Sequence, residues 1–158
     1  MKKIVSILLV ILIACSFAAC SGSSEKSPVS IDLALVKTEM LQELTPTDPI
    51  EIQTDALLNL YGIAAEDVEE SACYTTMDGA FPEEVIIVKA KDADALKRIE
   101  EKMNNRIAEV KVQSQSYDAE NYAIAQKSEV QKYGNYIAMF LSPDYDSLVN
   151  IFASYFEG

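Results

Sequence analysis

The stretch Glu84-Val85-Ile86-Ile87-Val88-Lys89-Ala90 limits what this chain can fold into more than any other. It has the β-branched bulk of a strand, and successive strand side chains point to opposite faces, so Val85 to Val88 make both faces apolar. Such a strand has to be covered on both sides. One cover follows directly in the chain. Asp92 is placed to cap a long helix in which Leu96, Ile99, Met103, Ile107 and Val110 recur at spacings of three and four, a single apolar stripe. Lys97, Arg98, Glu101, Lys102 and Asn105 fall on the other side, which reads as an ordinary solvated face.

The remaining elements fit around this unit. Leu33, Val36, Met40 and Leu44 predict an amphipathic helix over 31–44, ended by the two prolines of Thr45-Pro46-Thr47-Asp48-Pro49. A short helix is expected from a Thr54 cap through Leu57, Leu58, Leu60 and Tyr61, closed by Gly62. Val68 to Met77 reads as a strand joined to 84–90 through a bend at Asp78-Gly79 and Pro82. The long helix weakens near Ser114–Ser116, and Asp118 caps a shorter one through Tyr122 and Ile124. Residues 129–132 and 135–141 flank Tyr133-Gly134 as a hairpin. Ser142 as cap and Pro143 at the first position open a last helix with Leu148, Ile151, Phe152 and Tyr155 on its apolar side. The expected class is α+β, an antiparallel sheet of two hairpins packed by helices in the order αα-ββ-α-ββ-α.

Ahead of this domain, Met1-Lys2-Lys3 precedes an apolar run from Ile4 to Ala19, the pattern of a secretory signal. The run falls short of the roughly 20 residues that a permanent transmembrane helix needs. Phe17-Ala18-Ala19-Cys20 resembles the bacterial lipoprotein pattern of an apolar residue, two small residues and cysteine. That resemblance implies a diacylglyceryl thioether on Cys20 and cleavage between Ala19 and Cys20. Leu12-Ile13-Ala14-Cys15 also fits the pattern, but the polar Ser21-Gly22-Ser23-Ser24 directly after Cys20 favours the later cysteine. The expected organisation is a lipoprotein signal peptide over 1–19, the lipidated cysteine and a flexible tether over 20–30, and one globular domain over 31–158. The expected location is the extracytoplasmic face of the cell membrane, held by the diacylglyceryl anchor.

Charge and cysteine content exclude several functions. The chain carries 13 basic and 25 acidic residues, a formal net charge of −12. The leader removes two lysines and no acid, so the mature chain is more acidic still. Phosphate backbones repel such a surface, and nucleic acid is not an expected partner. Without Cys15 and Cys20, Cys73 is the remaining cysteine, and its apolar strand setting in Ser71-Ala72-Cys73-Tyr74-Thr75 predicts a buried packing residue. The chain has no histidine, which removes the familiar hydrolase triads and the Cys–His pair. Carboxylates and one thiol are poor zinc ligands, and the five glycines frame no phosphate loop. No metal site and no cofactor are expected.

The chain resembles a known family, the uncharacterised bacterial lipoproteins of the domain of unknown function 4358 type. The matching residues are Gly62-Ile63 with Glu66-Asp67-Val68-Glu69-Glu70, then Glu84 to Ala90, Tyr117 and Tyr122 around the helix break, Tyr133-Gly134-Asn135-Tyr136, and Phe152. The likeness covers roughly residues 30–156. The family commonly has a proline between its two tyrosines, where this chain has Ala119 and Glu120. The resemblance implies export, lipid anchoring and an α+β fold, and it carries no catalytic residue.

Two groups of side chains remain as candidates for chemistry. The acidic clusters Glu66-Asp67-x-Glu69-Glu70, Asp92-x-Asp94 and Asp144-x-Asp146 match no calcium loop, and carboxylates in a first helical turn serve as caps. Eight tyrosines against no tryptophan suggest contact surfaces, and Tyr117, Tyr122, Tyr133 and Tyr136 form the candidate binding patch. The leading expectation is a non-enzymatic binding or interaction module with an envelope protein as partner. The alternative is a carboxylate-using cell-envelope enzyme acting on glycan or peptide. Solute capture for a transporter is disfavoured, because the domain is small and lacks two lobes.

Overall fold

A computed structural model describes residues 30–77 and 82–157. The expected leader with Cys15 and Ala19, the expected lipidation site Cys20, the expected tether up to residue 29 and the expected bend at Asp78-Gly79 lie outside the described residues. The elements run α1 (Leu33–Leu44), β1 (Ile50–Ile52), α2 (Leu57–Tyr61), β2 (Val68–Thr75), β3 (Glu84–Ala90), α3 (Ala93–Ser114), α4 (Ala119–Lys127), β4 (Gln131–Tyr133), β5 (Tyr136–Leu141) and α5 (Tyr145–Ser154). Single 3-10 turns at Thr54–Ala56 and Ala65–Asp67 precede α2 and β2.

The class is α+β, with a five-stranded antiparallel sheet in the order β1-β2-β3-β5-β4. The expected pair of hairpins is present, and a fifth strand joins them at one edge. β1 is three residues long, too short to show a period in sequence. It exists because Ile50, Glu51 and Ile52 pair with Thr75, Tyr74 and Cys73 of β2.

β3 is central and, as its sequence required, buried on both faces. Ile86, Val88 and Ala90 belong to one core with Ala95, Ile99, Met103, Ile107 and Val110 of α3. Val85 and Ile87 belong to the other core, with Leu33, Val36 and Met40 of α1 and Leu148 and Phe152 of α5. The domain therefore has three layers: α1 and α5, then the sheet, then α3 with α2 and α4. Each fully buried Leu, Ile, Val or Phe contributes roughly 1.5–3 kcal/mol against exposure, so β3 alone anchors both cores.

Local chemistry sets most boundaries. The Asp92 carboxylate accepts from the Asp94 and Ala95 amides at 3.0 and 2.8 Å, and Asp118 accepts from Asn121 N at 3.0 Å, the two caps the sequence indicated. Gly134 has φ +61° at the first of the two residues between Tyr133 and Tyr136, the position where a type II′ hairpin takes glycine. Two expected caps differ. The Thr54 hydroxyl pairs with Ser71 Oγ at 2.7 Å on β2 and caps no helix. The last helix begins at Tyr145, three residues after Ser142, whose hydroxyl donates to Glu83 at 2.5 Å and accepts from Asp144 N at 3.1 Å. Ser142 closes the turn that leads into the helix.

Candidate functional site

The residues between α2 and β2 form one wall of a cleft whose other wall is α3. α2 ends in a left-handed residue, φ +69° at Gly62, where the amides of Gly62 and Ile63 return to Leu58 O and Leu57 O at 3.0 and 3.3 Å. That reversal turns the backbone along α3. Two lobes of about 270 and 390 Å³ share Gly62 and Lys102. The buried Ile63 and Ile99 floor the smaller lobe, and Leu58 and Leu60, both more than half exposed, rim the larger.

Three cations one turn apart on α3, Arg98, Lys102 and Arg106, line the cleft. The face read from sequence as ordinary and solvated is thus only partly so. Arg98 donates from Nε and Nη2 to the buried Asp67 at 2.9 and 2.6 Å. This forked bond holds the Asp67 carboxyl below the usual carboxylate range, against the opposing pull of burial. Arg106 donates from Nε to both Glu84 oxygens at 3.1 Å and from Nη2 at 2.5 Å, while its Nη1 reaches Glu109 at 3.4 Å. The Glu84 side chain is only 4 % exposed. Burial, and then the Glu84 charge, push the Tyr61 hydroxyl well above its ordinary range, so Tyr61 stays protonated as a donor. Lys102 has no ion-pair partner among the described residues. Its stem lies across the glycine turn, where a Cβ on Gly62 would meet Lys102 Cδ at 3.6 Å.

The four tyrosines of the candidate patch are divided between the two helical layers. Tyr133 and Tyr136 face each other across the β4–β5 hairpin and pack with α5, Tyr133 stacking on Phe156 at 4.4 Å. Tyr136 is buried, and its hydroxyl accepts from Ile31 N at 3.2 Å, tying down the start of the domain. Tyr122 lies on α4, and Tyr117, 72 % exposed, follows α3, both on the opposite layer. Cys73 is buried as expected, with its thiol pushed up to about 12 by burial. The acidic clusters are spread out: Asp92 caps α3, Asp94 pairs with Lys97, Asp146 with Lys127, and Asp67 with Arg98. Among the described residues no three carboxylates or thiols gather as a metal site, and no helix is long and apolar enough to cross a membrane.

Sequence reasoning missed Glu84 and Arg106, and placed Asp67 only in an acidic cluster, without its arginine partner. The one available signal was that Glu84 is an acid at the start of the otherwise apolar β3.

Fold and cleft together define a three-layer α+β domain built on a doubly covered antiparallel sheet, with a charged cleft along its longest helix. The chain belongs to the family described as Domain of unknown function (DUF4358), whose model matches residues 42–142 and so spans the whole cleft. No curated protein and no solved structure matches the chain.

Proposed function

We propose that the protein is a lipid-anchored lipoprotein on the extracytoplasmic face of the cell membrane, and that its domain is a non-enzymatic binding or interaction module. The observation that carries this reading is Phe17-Ala18-Ala19-Cys20 followed at once by Ser21-Gly22-Ser23-Ser24. Two acyl chains on Cys20 give lasting attachment where one chain would be reversible. A tether of about ten residues has a root-mean-square reach on the order of 17 Å, which keeps the domain close to the bilayer. A binding role is supported by the chemistry of the cleft. The buried Asp67 that lines it and the buried Glu84 bound to Arg106 are each engaged by an arginine fork, which leaves neither poised as a general acid or nucleophile. The partner expected is another envelope protein or an envelope component.

Mass spectrometry of the mature N-terminus tests the anchor. A diacylglyceryl Cys20 is expected, and Cys20→Ala should release the protein from membranes or stall its processing. A lipid on Cys15, or an unmodified chain beginning at Met1, would refute this assignment. Proximity crosslinking in intact cells tests the role. A reproducible partner supports the module, whereas turnover of wall fragments by the purified protein would favour the carboxylate enzyme.

A further inference from the structure

We infer that the outward face of α3, with Leu58 and Leu60 beside it, binds a second copy of this chain as an antiparallel two-fold dimer. This deepens the reading of the domain as an interaction module and rests on it.

α3 carries two stripes. Ile99, Met103, Ile107 and Val110 belong to the core, while Glu101, Asn105, Ala108 and Val112, all exposed, recur on the other side at spacings of four, three and four. That alternation is the seam along which one helix packs against another. Val112 is 72 % exposed, and Leu58 and Leu60 are 55 and 56 % exposed. The three belong to one surface. Asn105 and Glu109 line the larger lobe with both leucines, and they also line a shallow depression of about 480 Å³ with Ala108 and Val112. Exposed apolar groups gathered in this way mark a contact surface.

Charge points to a second copy as the occupant. α3 holds five of the 13 bases and only four of the 25 acids, so it is close to neutral in a strongly acidic molecule. A cationic partner would be drawn to the acidic remainder, whereas two copies meet with least repulsion at a balanced face. The seam is also complementary to itself. In an antiparallel pair about a two-fold axis, Asn105 lies against the partner's Ala108, and the flanking Lys102 against the partner's Glu109, twice by symmetry. Lys102 forms no ion pair among the described residues. The Glu109 side chain is 60 % exposed, and its one ion pair among the described residues is the long 3.4 Å contact to Arg106. Glu101 falls at the end of the seam, where its carboxylate reaches water. A parallel pair would instead set Lys97 against the partner's Lys102, like charge on like.

Sedimentation equilibrium of the full chain, in density-matched uncharged detergent with micelles in excess, tests the dimer. A dissociation constant on the order of 10–100 μM is expected for so small an interface. Lys102→Glu alone and Glu109→Lys alone should each weaken it about tenfold, because two ion pairs become two repulsions. Mixed together, these two variants are complementary again and should pair within about threefold of the native affinity. Val112→Glu should also weaken the dimer about tenfold, whereas Leu35→Glu, at a residue 59 % exposed on α1 in the other helical layer, should leave it within about twofold. A dimer indifferent to the charge changes, no recovery on mixing, or a chain still monomeric at about 1 mM would overturn the inference. So would a monomeric chain whose crosslinked envelope partner is lost in Val112→Glu, since this face would then belong to that partner. None of these outcomes touches the anchor, which the N-terminal mass decides separately.

Discussion

Replacing Arg106 with methionine should cost more than replacing its partner Glu84 with glutamine, although both changes break the same ion pair. The reason is the difference in burial. The Glu84 side chain is 4 % exposed and accepts three contacts from Arg106, whereas the Arg106 side chain is 24 % exposed and also reaches Glu109. Methionine keeps most of the aliphatic stem but leaves a desolvated carboxylate with little besides the Tyr61 hydroxyl to solvate it. An uncompensated buried charge costs about 3–5 kcal/mol, roughly 10–15 °C in melting temperature for a domain of this size. That is a large share of a total stability of about 5–15 kcal/mol. In Glu84→Gln the arginine turns to Glu109 and water while the amide still accepts one hydrogen bond, so the cost falls to about 1–2 kcal/mol. The double variant Glu84→Gln/Arg106→Met removes both charges and should recover most of the single-variant loss. Urea unfolding followed by circular dichroism at 222 nm measures all four proteins, with the slope expected to stay constant. If Glu84→Gln proves the more destabilising single change, or the double variant is no better than Arg106→Met, the desolvation argument is wrong.

Three further outcomes follow from the same structure. Asp67 has its folded-state pKa depressed by Arg98, so its contribution is complete above the ordinary carboxylate range and is lost as pH falls through the lower folded value; Asp67→Asn should flatten that acid limb in a pH series of melting temperatures, and an unchanged limb would refute the assignment. Thr45 closes α1 with φ +45° and is exposed, a conformation a β-branched residue adopts at a cost, so Thr45→Asn should raise stability by up to about 1 kcal/mol in the same urea assay. Cys73 is fully buried and its thiol is pushed up to about 12, so iodoacetamide should leave it unlabelled in the native protein at pH 8 and alkylate it in urea; native labelling at a comparable rate would show that the strand opens.

Where the signal is local, the sequence carried it. The spacing of Leu33, Val36 and Met40, the stripe from Leu96 to Val110 and the Asp92 and Asp118 caps depend on residues within a turn or two of each other, and each became the element expected. The doubly apolar β3 went further and dictated a layer of helices on each side of the sheet.

What depended on distant partners was decided only by the tertiary structure. β1 is too short to declare itself and is a strand because β2 lies alongside it. The Ser142 hydroxyl, besides accepting from Asp144 N at the entry to the last helix, donates to Glu83, 59 residues earlier. Asp67 with Arg98 and Glu84 with Arg106 are separated by 31 and 22 residues, and no spacing rule joins them. An isolated charge in a sequence does not disclose its counter-ion, since the Coulomb term depends on distance in space and on the water removed between the charges. Only the packing of α3 against the Gly62 turn brings those groups together.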